Sequence, residues 1–251
     1  MRFFHFLALL VLPTGLSGCA DVLAAKALAP ATFGMERIAD HLYVDSAMSP
    51  AQREEVAALL PEARARVAAY YGEVTSTPDM IACSTQECFD VFGGGRRRAL
   101  AVGWRALVLS PRALTPPMLA HEWSHTELHA RVSSLFALSL PVPAWFDEGL
   151  AVMISDDPAH SEEIWQEVER RSLPRPDLAS LTTLSAWNAA VVRYGDAQWA
   201  EGSGTPQILY PLAGHAVRGW YARAGREGLL ALIRRVREGE DFDAVHAGEP
   251  G

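Results

Sequence analysis

The sequence lacks the features that mark several large classes of protein. Three cysteines among 251 residues are too few for a disulfide-rich scaffold. No apolar run is long enough to span a bilayer as a helix, which excludes an integral membrane protein. The formal net charge of −8 gives the chain no electrostatic attraction to nucleic acid. With 49% hydrophobic and 21% charged residues, the composition is that of a globular chain that can bury a sizeable core.

The N-terminus carries the pattern of a secretion signal. Arg2 supplies a positive charge, and residues 3–12 form a mostly apolar stretch that is too short to cross a bilayer. Small residues then lead to a cysteine in the order Leu16-Ser17-Gly18-Cys19. This order resembles the bacterial lipobox, which implies cleavage before Cys19 and attachment of lipid to that residue. The alternative is an ordinary signal peptide with an incidental cysteine.

The lipobox interpretation divides the chain into three parts. We expect a signal peptide over residues 1–18, a lipidated tether over 19–40 and a single domain over 41–251. Several acyl chains on one residue would hold the protein stably on a membrane of the bacterial envelope. An aspartate after the lipidated cysteine often signals retention in the inner membrane. Ala20 stands there instead, which favours the outer membrane and a domain that faces the periplasm.

Cys83 and Cys88 are the two cysteines outside the lipobox. Export implies an oxidising compartment, so we expect them to form a local disulfide. The alternative is a pair of unbonded, partly buried thiols, because geometry decides whether the bond can form. Two cysteines at this spacing make a poor zinc site on their own.

The chemistry of the chain is concentrated in His121-Glu122-Trp123-Ser124-His125, an HExxH motif. Four residues are about 1.1 turns of helix, so both imidazoles point to one side and can bind one zinc ion. Glu122 is placed to accept a proton from a water that the metal activates. Catalytic zinc usually has a third protein ligand, and Glu148 follows His125 by 23 residues on a predicted helix.

Together the two motifs resemble a known group of enzymes. An HExxH motif followed by Trp145-Phe146-Asp147-Glu148-Gly149-Leu150-Ala151 is similar to the gluzincin metallopeptidases, the clan of thermolysin and aminopeptidase N. It looks still more like the small bacterial "peptidase MA-like" proteins. The resemblance covers residues 75–245. It implies that His121, His125 and Glu148 bind zinc and that Glu122 is the general base.

The sequence departs from this family at one position. Thermolysin has an aspartate four residues after the ligand glutamate, where it orients a histidine, and here that position is Val152. Support for the zinc histidines must therefore come from elsewhere, with Asp147 and Asp156 as candidates. His129 follows His125 by four residues but has no counterpart in the family, so we interpret it as a flanking residue.

The local patterns predict an α+β chain, and the resemblance implies that its fold is zincin-like. It would have a small mixed or antiparallel sheet before the HExxH helix and a mostly helical C-terminal half. Short apolar runs between turn residues predict strands, at 42–44, 80–83, 101–103 and 105–109. Capping residues, prolines and glycines predict helices, at 50–71 with a kink or break at Pro61, 87–92, 116–132, 145–154, 162–171, 206–224 and 227–238. Residues 172–205 are expected to be rich in loops.

Two further features of gluzincins have candidates in this chain. An edge strand before the metal helix pairs with an extended substrate, and residues 105–109 stand in that place. They could equally be an ordinary core strand. A tyrosine or histidine often stabilises the developing oxyanion. Tyr210 is the first candidate for that role, ahead of Tyr194 and His215.

The sequence therefore predicts a zinc-dependent peptidase of the bacterial envelope, with a peptide or protein as substrate and no nucleic-acid partner. One alternative is an envelope lipoprotein that keeps the zinc site without catalysis, although a structural site would not need Glu122. The other is a zinc hydrolase that acts on a non-peptide amide, for example in cell-wall material. The chain shows no Gly-x-Met-x-Asn amine-binding motif of the aminopeptidase N type.

Overall fold

A computed structural model describes residues 25–133, 140–194 and 208–248. The predicted signal peptide and the predicted lipidation site, Cys19, lie outside these ranges. Among the described residues, no helix is both long enough and apolar enough to cross a membrane.

The N-terminal half contains a mixed five-stranded sheet in the order β1-β2-β3-β5-β4. Its strands are β1 (Met35–Ala39), β2 (Leu42–Asp45), β3 (Asp79–Ala82), β4 (Ala99–Val102) and β5 (Ala106–Leu109). The three inner strands run parallel to one another, whereas β1 and β4 at the two edges are antiparallel to their neighbours. With helices filling most of the remaining chain, this confirms the predicted α+β class and its small mixed sheet.

Strand β1 shows that the folded part begins before residue 41. Met35 pairs with Asp45, and both Ala27 and Met35 are buried in a small core beneath the sheet that also contains Phe89. The prediction of a tether over residues 19–40 is therefore wrong for residues 25–40. The reason is that these apolar side chains cover one face of the sheet, which water would otherwise reach.

Strand β5 is an inner strand, so the interpretation of residues 105–109 as an exposed edge is wrong. All four of its side chains are buried, because the sheet is covered on both faces. The edge on this side of the sheet is β4, which is only half-buried. Any extended peptide that adds to the sheet here would pair with β4.

Besides a helical stretch at residues 25–28, the described residues form eight α-helices. They are α1 (Pro50–Tyr71), α2 (Gln86–Val91), α3 (Pro116–Val132), α4 (Ala144–Ser155), α5 (Glu162–Arg170), α6 (Leu184–Tyr194), α7 (Leu209–Arg237) and α8 (Phe242–Ala247). Helix α1 begins with a capping box in which Ser49 and Gln52 each accept the other's backbone N–H. Helix α7 bends at Gly225, whose backbone is not helical, as the sequence predicts.

Two local predictions need correction. Pro61 does not break α1, which continues to Tyr71. Pro61 is exposed, so water can bond to the backbone carbonyl that loses its helical partner because proline has no N–H. Helix α6 lies within the segment that was expected to be loops. It is stabilised by tertiary contacts, since Trp187 and Ala190 are buried against the main core.

Close contact between α4 and α7 brings the two parts of the site together. A Cβ atom added at Gly149 would lie 2.5 Å from the backbone oxygen of Ala213, so only glycine permits this approach. From the other side, Gly214 leaves room for Val152. The position at which thermolysin has an aspartate is thus used here for helix packing.

Candidate metal centre

Helix α3 presents both histidines of the HExxH motif to one buried surface. Its N-terminus is capped by Thr115, and His121 and His125 lie one turn apart. Their rings are 5.0 Å apart between centroids, and both residues are less than 9% exposed. Helix α3 contacts the sheet through β4 and β5 and contacts α4 on its other side. The predicted pair is therefore held within the core of the protein.

Glu148 of α4 completes a three-residue group with these histidines. Its Oε2 atom lies 3.6 Å from Nε2 of His121 and 3.7 Å from Nε2 of His125. These separations are too long for hydrogen bonds. A tetrahedral zinc ion with bonds of about 2.0–2.2 Å would hold its ligand atoms about 3.3–3.6 Å apart. The arrangement of these donors fits a zinc ion, and the sequence predicted all three residues.

Asp147, next to the ligand Glu148, supplies the support that Val152 cannot. Its Oδ1 atom lies 2.7 Å from Nδ1 of His125. Because an ionised carboxylate can only accept, Nδ1 of His125 carries the proton and donates it. The lone pair of this imidazole is then at Nε2, the atom that faces Glu148. Asp147 thus holds His125 in the tautomer that can bind a metal.

His129 contacts the other oxygen of the same carboxylate. Its Nε2 atom lies 2.8 Å from Oδ2 of Asp147, so the aspartate bridges two histidines of α3. His125, His129 and Asp147 are close enough to form a second possible metal group. However, 2.7 and 2.8 Å are hydrogen-bond distances and are shorter than the spacing of ligands around one zinc ion, about 3.3 Å. We therefore assign these contacts as hydrogen bonds.

The charges around Asp147 favour a cation at the site. Burial alone would raise the pKa of Asp147, but His125 and His129 outweigh it and hold the pKa of this carboxyl well below its ordinary value. Burial opposes the charged form of His125, yet Asp147 and the acidic residues beside it raise the pKa of this histidine to about 10. Since a metal ion takes the place of the second imidazole proton, the same carboxylates favour a bound metal.

Glu122 is buried between the two histidines along α3, with 9% of its surface exposed. Burial raises the pKa of its carboxyl above the ordinary value, against the opposing effect of His121 and His125. A raised pKa makes a carboxylate a stronger proton acceptor, which suits the predicted general base.

Of the three candidates for oxyanion stabilisation, the structure places Tyr210 beside the histidines. Its ring centroid is 6.3 Å from that of His121, and it is held between the rings of His160 and Trp187. His215 is on the surface, where it pairs with Glu162 and stacks on Trp165. Tyr194 packs in the small apolar cluster around Trp165.

Asp147 is one of the two predicted candidates to support the histidines, and the structure places it between His125 and His129. Two contacts of this region are not predicted by the sequence: that of His129, interpreted there as a flanking residue, and that of the buried Glu127, which is bonded to Thr75 and Ser76. The four-residue spacing of His125 and His129 was the one available signal. Asp156 ends α4 in a left-handed conformation and makes no hydrogen bond to His121 or His125 within the described residues.

The predicted disulfide is present. Cys83 and Cys88 are bonded, with their Cα atoms 5.5 Å apart. Asp45 lies close to both sulfur atoms. Because the sulfurs are joined to each other, this group cannot bind a metal through thiolates.

Comparisons with protein-family models, curated proteins and solved structures gave no match. The resemblance to gluzincins therefore depends on the two sequence motifs alone.

Proposed function

We propose that this chain is a zinc-dependent metallopeptidase of the gluzincin type. The observation that carries the proposal is the convergence of His121, His125 and Glu148 on a space of the size of one zinc ion. A buried carboxylate, Glu122, stands on the same helix between the two histidines. A site that only stabilised the fold would need the ligands but not this additional buried acid.

Each residue of the site has a separate role in the proposed hydrolysis of a peptide bond. Zinc held by the three ligands would act as a Lewis acid and lower the pKa of a water molecule. Glu122 accepts the proton of the attacking water and later delivers it to the leaving amine. Tyr210, on α7, donates a hydrogen bond to the oxyanion. Strand β4 offers its free edge to an extended peptide, and α3 lies directly against it.

The test of catalysis separates chemistry from metal binding. Glu122→Gln should keep one bound zinc per chain and lower turnover of a peptide substrate by at least about 10²–10⁴-fold. Tyr210→Phe should lower turnover by about 10²–10³-fold and also keep the metal. Tyr194→Phe is the matched control, because this tyrosine packs beside the cluster around Trp165 and makes no ring contact with His121 or His125 within the described residues, and it should have wild-type turnover.

Two results would contradict the proposal. If His121→Ala retained stoichiometric, equally tight zinc, the metal site would be misassigned. If Glu122→Gln cleaved the peptide at the wild-type rate, the hydrolytic mechanism would be wrong, and a non-catalytic zinc lipoprotein would be the better account. Cleavage of cell-wall amides but of no member of a mixed peptide library would indicate an amidohydrolase instead.

We also propose that the protein is attached to the outer membrane through lipid on Cys19 and faces the periplasm. The support is the order of the charged, apolar and small residues that precede this cysteine. Wild-type protein should partition with membranes and incorporate labelled fatty acid, and Cys19→Ser should do neither. Equal membrane association of the two forms would rule out this anchor.

A further inference from the structure

His129 is a titratable residue of the site that the proposed mechanism does not use. It lies one turn beyond His125 on α3, and only 15% of its side chain is exposed. Its Nε2 atom is 2.8 Å from Oδ2 of Asp147, whose Oδ1 atom is 2.7 Å from His125. The result is a continuous hydrogen-bonded chain from His129 through Asp147 to a metal ligand.

We infer that His129 is a positioning residue that acts on the metal centre through Asp147. The inference rests on the proposed function, since it assumes that His125 binds zinc. It assigns to His129 a task that differs from ligation: this histidine fixes the orientation of a carboxylate, and the carboxylate fixes the orientation of His125.

The physical reason is the number of donors that the carboxylate of Asp147 receives. With one N–H on each oxygen, rotation about its Cβ–Cγ bond would break two hydrogen bonds, so both imidazoles hold the plane of the carboxylate. If His129 is removed, Oδ2 is left unpaired in a site where only 13% of the aspartate side chain is exposed. The carboxylate can then turn away from His125. The imidazole ring of His125 is then no longer held in one orientation, and neither is its Nε2 atom.

The expected size follows from the distance to the metal. Loss of a group that bonds directly to a zinc ligand typically weakens metal binding by about 10–100-fold. His129 is separated from the ligand His125 by two hydrogen bonds, whereas Asp147 is separated by one. We therefore expect His129→Leu to have a smaller effect and to weaken zinc binding by about 3–10-fold. His129→Gln should restore most of the affinity, since the glutamine amide can donate to Asp147 in place of the imidazole.

The test is a double-mutant cycle that measures zinc affinity by competition with a chelator, which requires no substrate. The variants are His129→Leu, Asp147→Asn and the two combined, each checked for wild-type circular dichroism. If His129 acts through Asp147, its substitution should change the affinity of the wild type but not that of Asp147→Asn. His215→Leu is the control, because His215 also pairs with a carboxylate, Glu162, but on the surface.

A second readout reports directly on the ligands. With Co²⁺ in place of zinc, the visible spectrum depends on how the imidazoles and the carboxylate surround the ion. It should change in His129→Leu, return towards that of the wild type in His129→Gln, and stay unchanged in His215→Leu. A general loss of folding stability would not produce this order.

The outcomes separate this inference from the proposed function. Suppose that wild-type protein binds one zinc, and that His129→Leu lowers the zinc affinity by the same factor in the wild type and in Asp147→Asn. The inference is then wrong and the proposed function stands. Complete loss of zinc in His129→Leu, with retention in Glu148→Ala, would make His129 a ligand and overturn both. Wild-type protein that binds no zinc would also overturn both.

Discussion

Replacement of Glu127 by glutamine should destabilise the protein more than any comparable change at the surface. The carboxylate of Glu127 is fully buried on α3. It accepts the backbone N–H and hydroxyl groups of Thr75 and Ser76, at 2.6–3.1 Å, and the guanidinium of Arg131 at 2.6 Å. Ser76 also accepts a hydrogen bond from the indole N–H of Trp123, which stands between His121 and His125 in the sequence of α3. Glu127 therefore links α3 to the loop that precedes β3.

The size of the destabilisation follows from the hydrogen bonds that a glutamine amide cannot accept in place of the carboxylate. One oxygen becomes an NH₂ group that faces backbone donors, so at least one charge-assisted hydrogen bond is lost, at a cost of about 1.5–3 kcal/mol. The buried N–H that loses its acceptor adds about 1–3 kcal/mol. We therefore expect Glu127→Gln to lower the free energy of unfolding by about 3–5 kcal/mol, the range found when one partner of a buried pair is removed.

The assay is urea unfolding at neutral pH, with Glu167→Gln as the matched control. Glu167 also pairs with an arginine, Arg170, but both side chains are at least 36% exposed. Its replacement should therefore cost less than about 1 kcal/mol. A loss of less than 1 kcal/mol in Glu127→Gln, equal to that of the control, would refute the view that this carboxylate secures the helix.

The pH dependence gives an independent check of the same residue. Burial alone would raise the pKa of Glu127, but the hydrogen bonds from Ser76, Thr75 and Arg131 hold it below its ordinary value of 4.5. The carboxylate therefore contributes stability that is complete above pH 4.5 and is lost as the pH falls towards the lower value in the folded state. The difference between wild type and Glu127→Gln should be constant at neutral pH and shrink below 4.5.

Four further predictions concern helix packing, the metal and the disulfide. Gly149→Ala should lower stability by about 1–3 kcal/mol in thermal unfolding, because its methyl group would meet the backbone of α7. Gly219→Ala, where no atom lies within 4 Å, should raise it by about 0.5–1 kcal/mol. A chelator should lower the melting temperature of the wild type but not that of His121→Ala, since under the proposed function only the wild type would hold zinc. Alanine at both Cys83 and Cys88 should cost about 2 kcal/mol, as expected for so short a loop.

Features that depend on spacing within a short stretch of chain could be predicted from the amino-acid sequence. The four-residue interval between His121 and His125 places both imidazoles on one helical face wherever the helix lies. The caps at Ser49 and Thr115 and the non-helical backbone at Gly225 also follow from nearby residues. For the same reason the disulfide between Cys83 and Cys88, five residues apart, was within reach of prediction.

The contacts between segments that are distant in the chain became visible only in the folded protein. No spacing along the chain shows that Asp147 of α4 lies between two histidines of α3, or that the ring of Tyr210 lies beside that of His121. The same holds for β1, whose pairing with β2 extends the domain into the predicted tether, and for β4 as the edge of the sheet. These contacts arise from the packing of one element on another, and that packing depends on the shape of the whole core, to which residues far apart in the chain contribute.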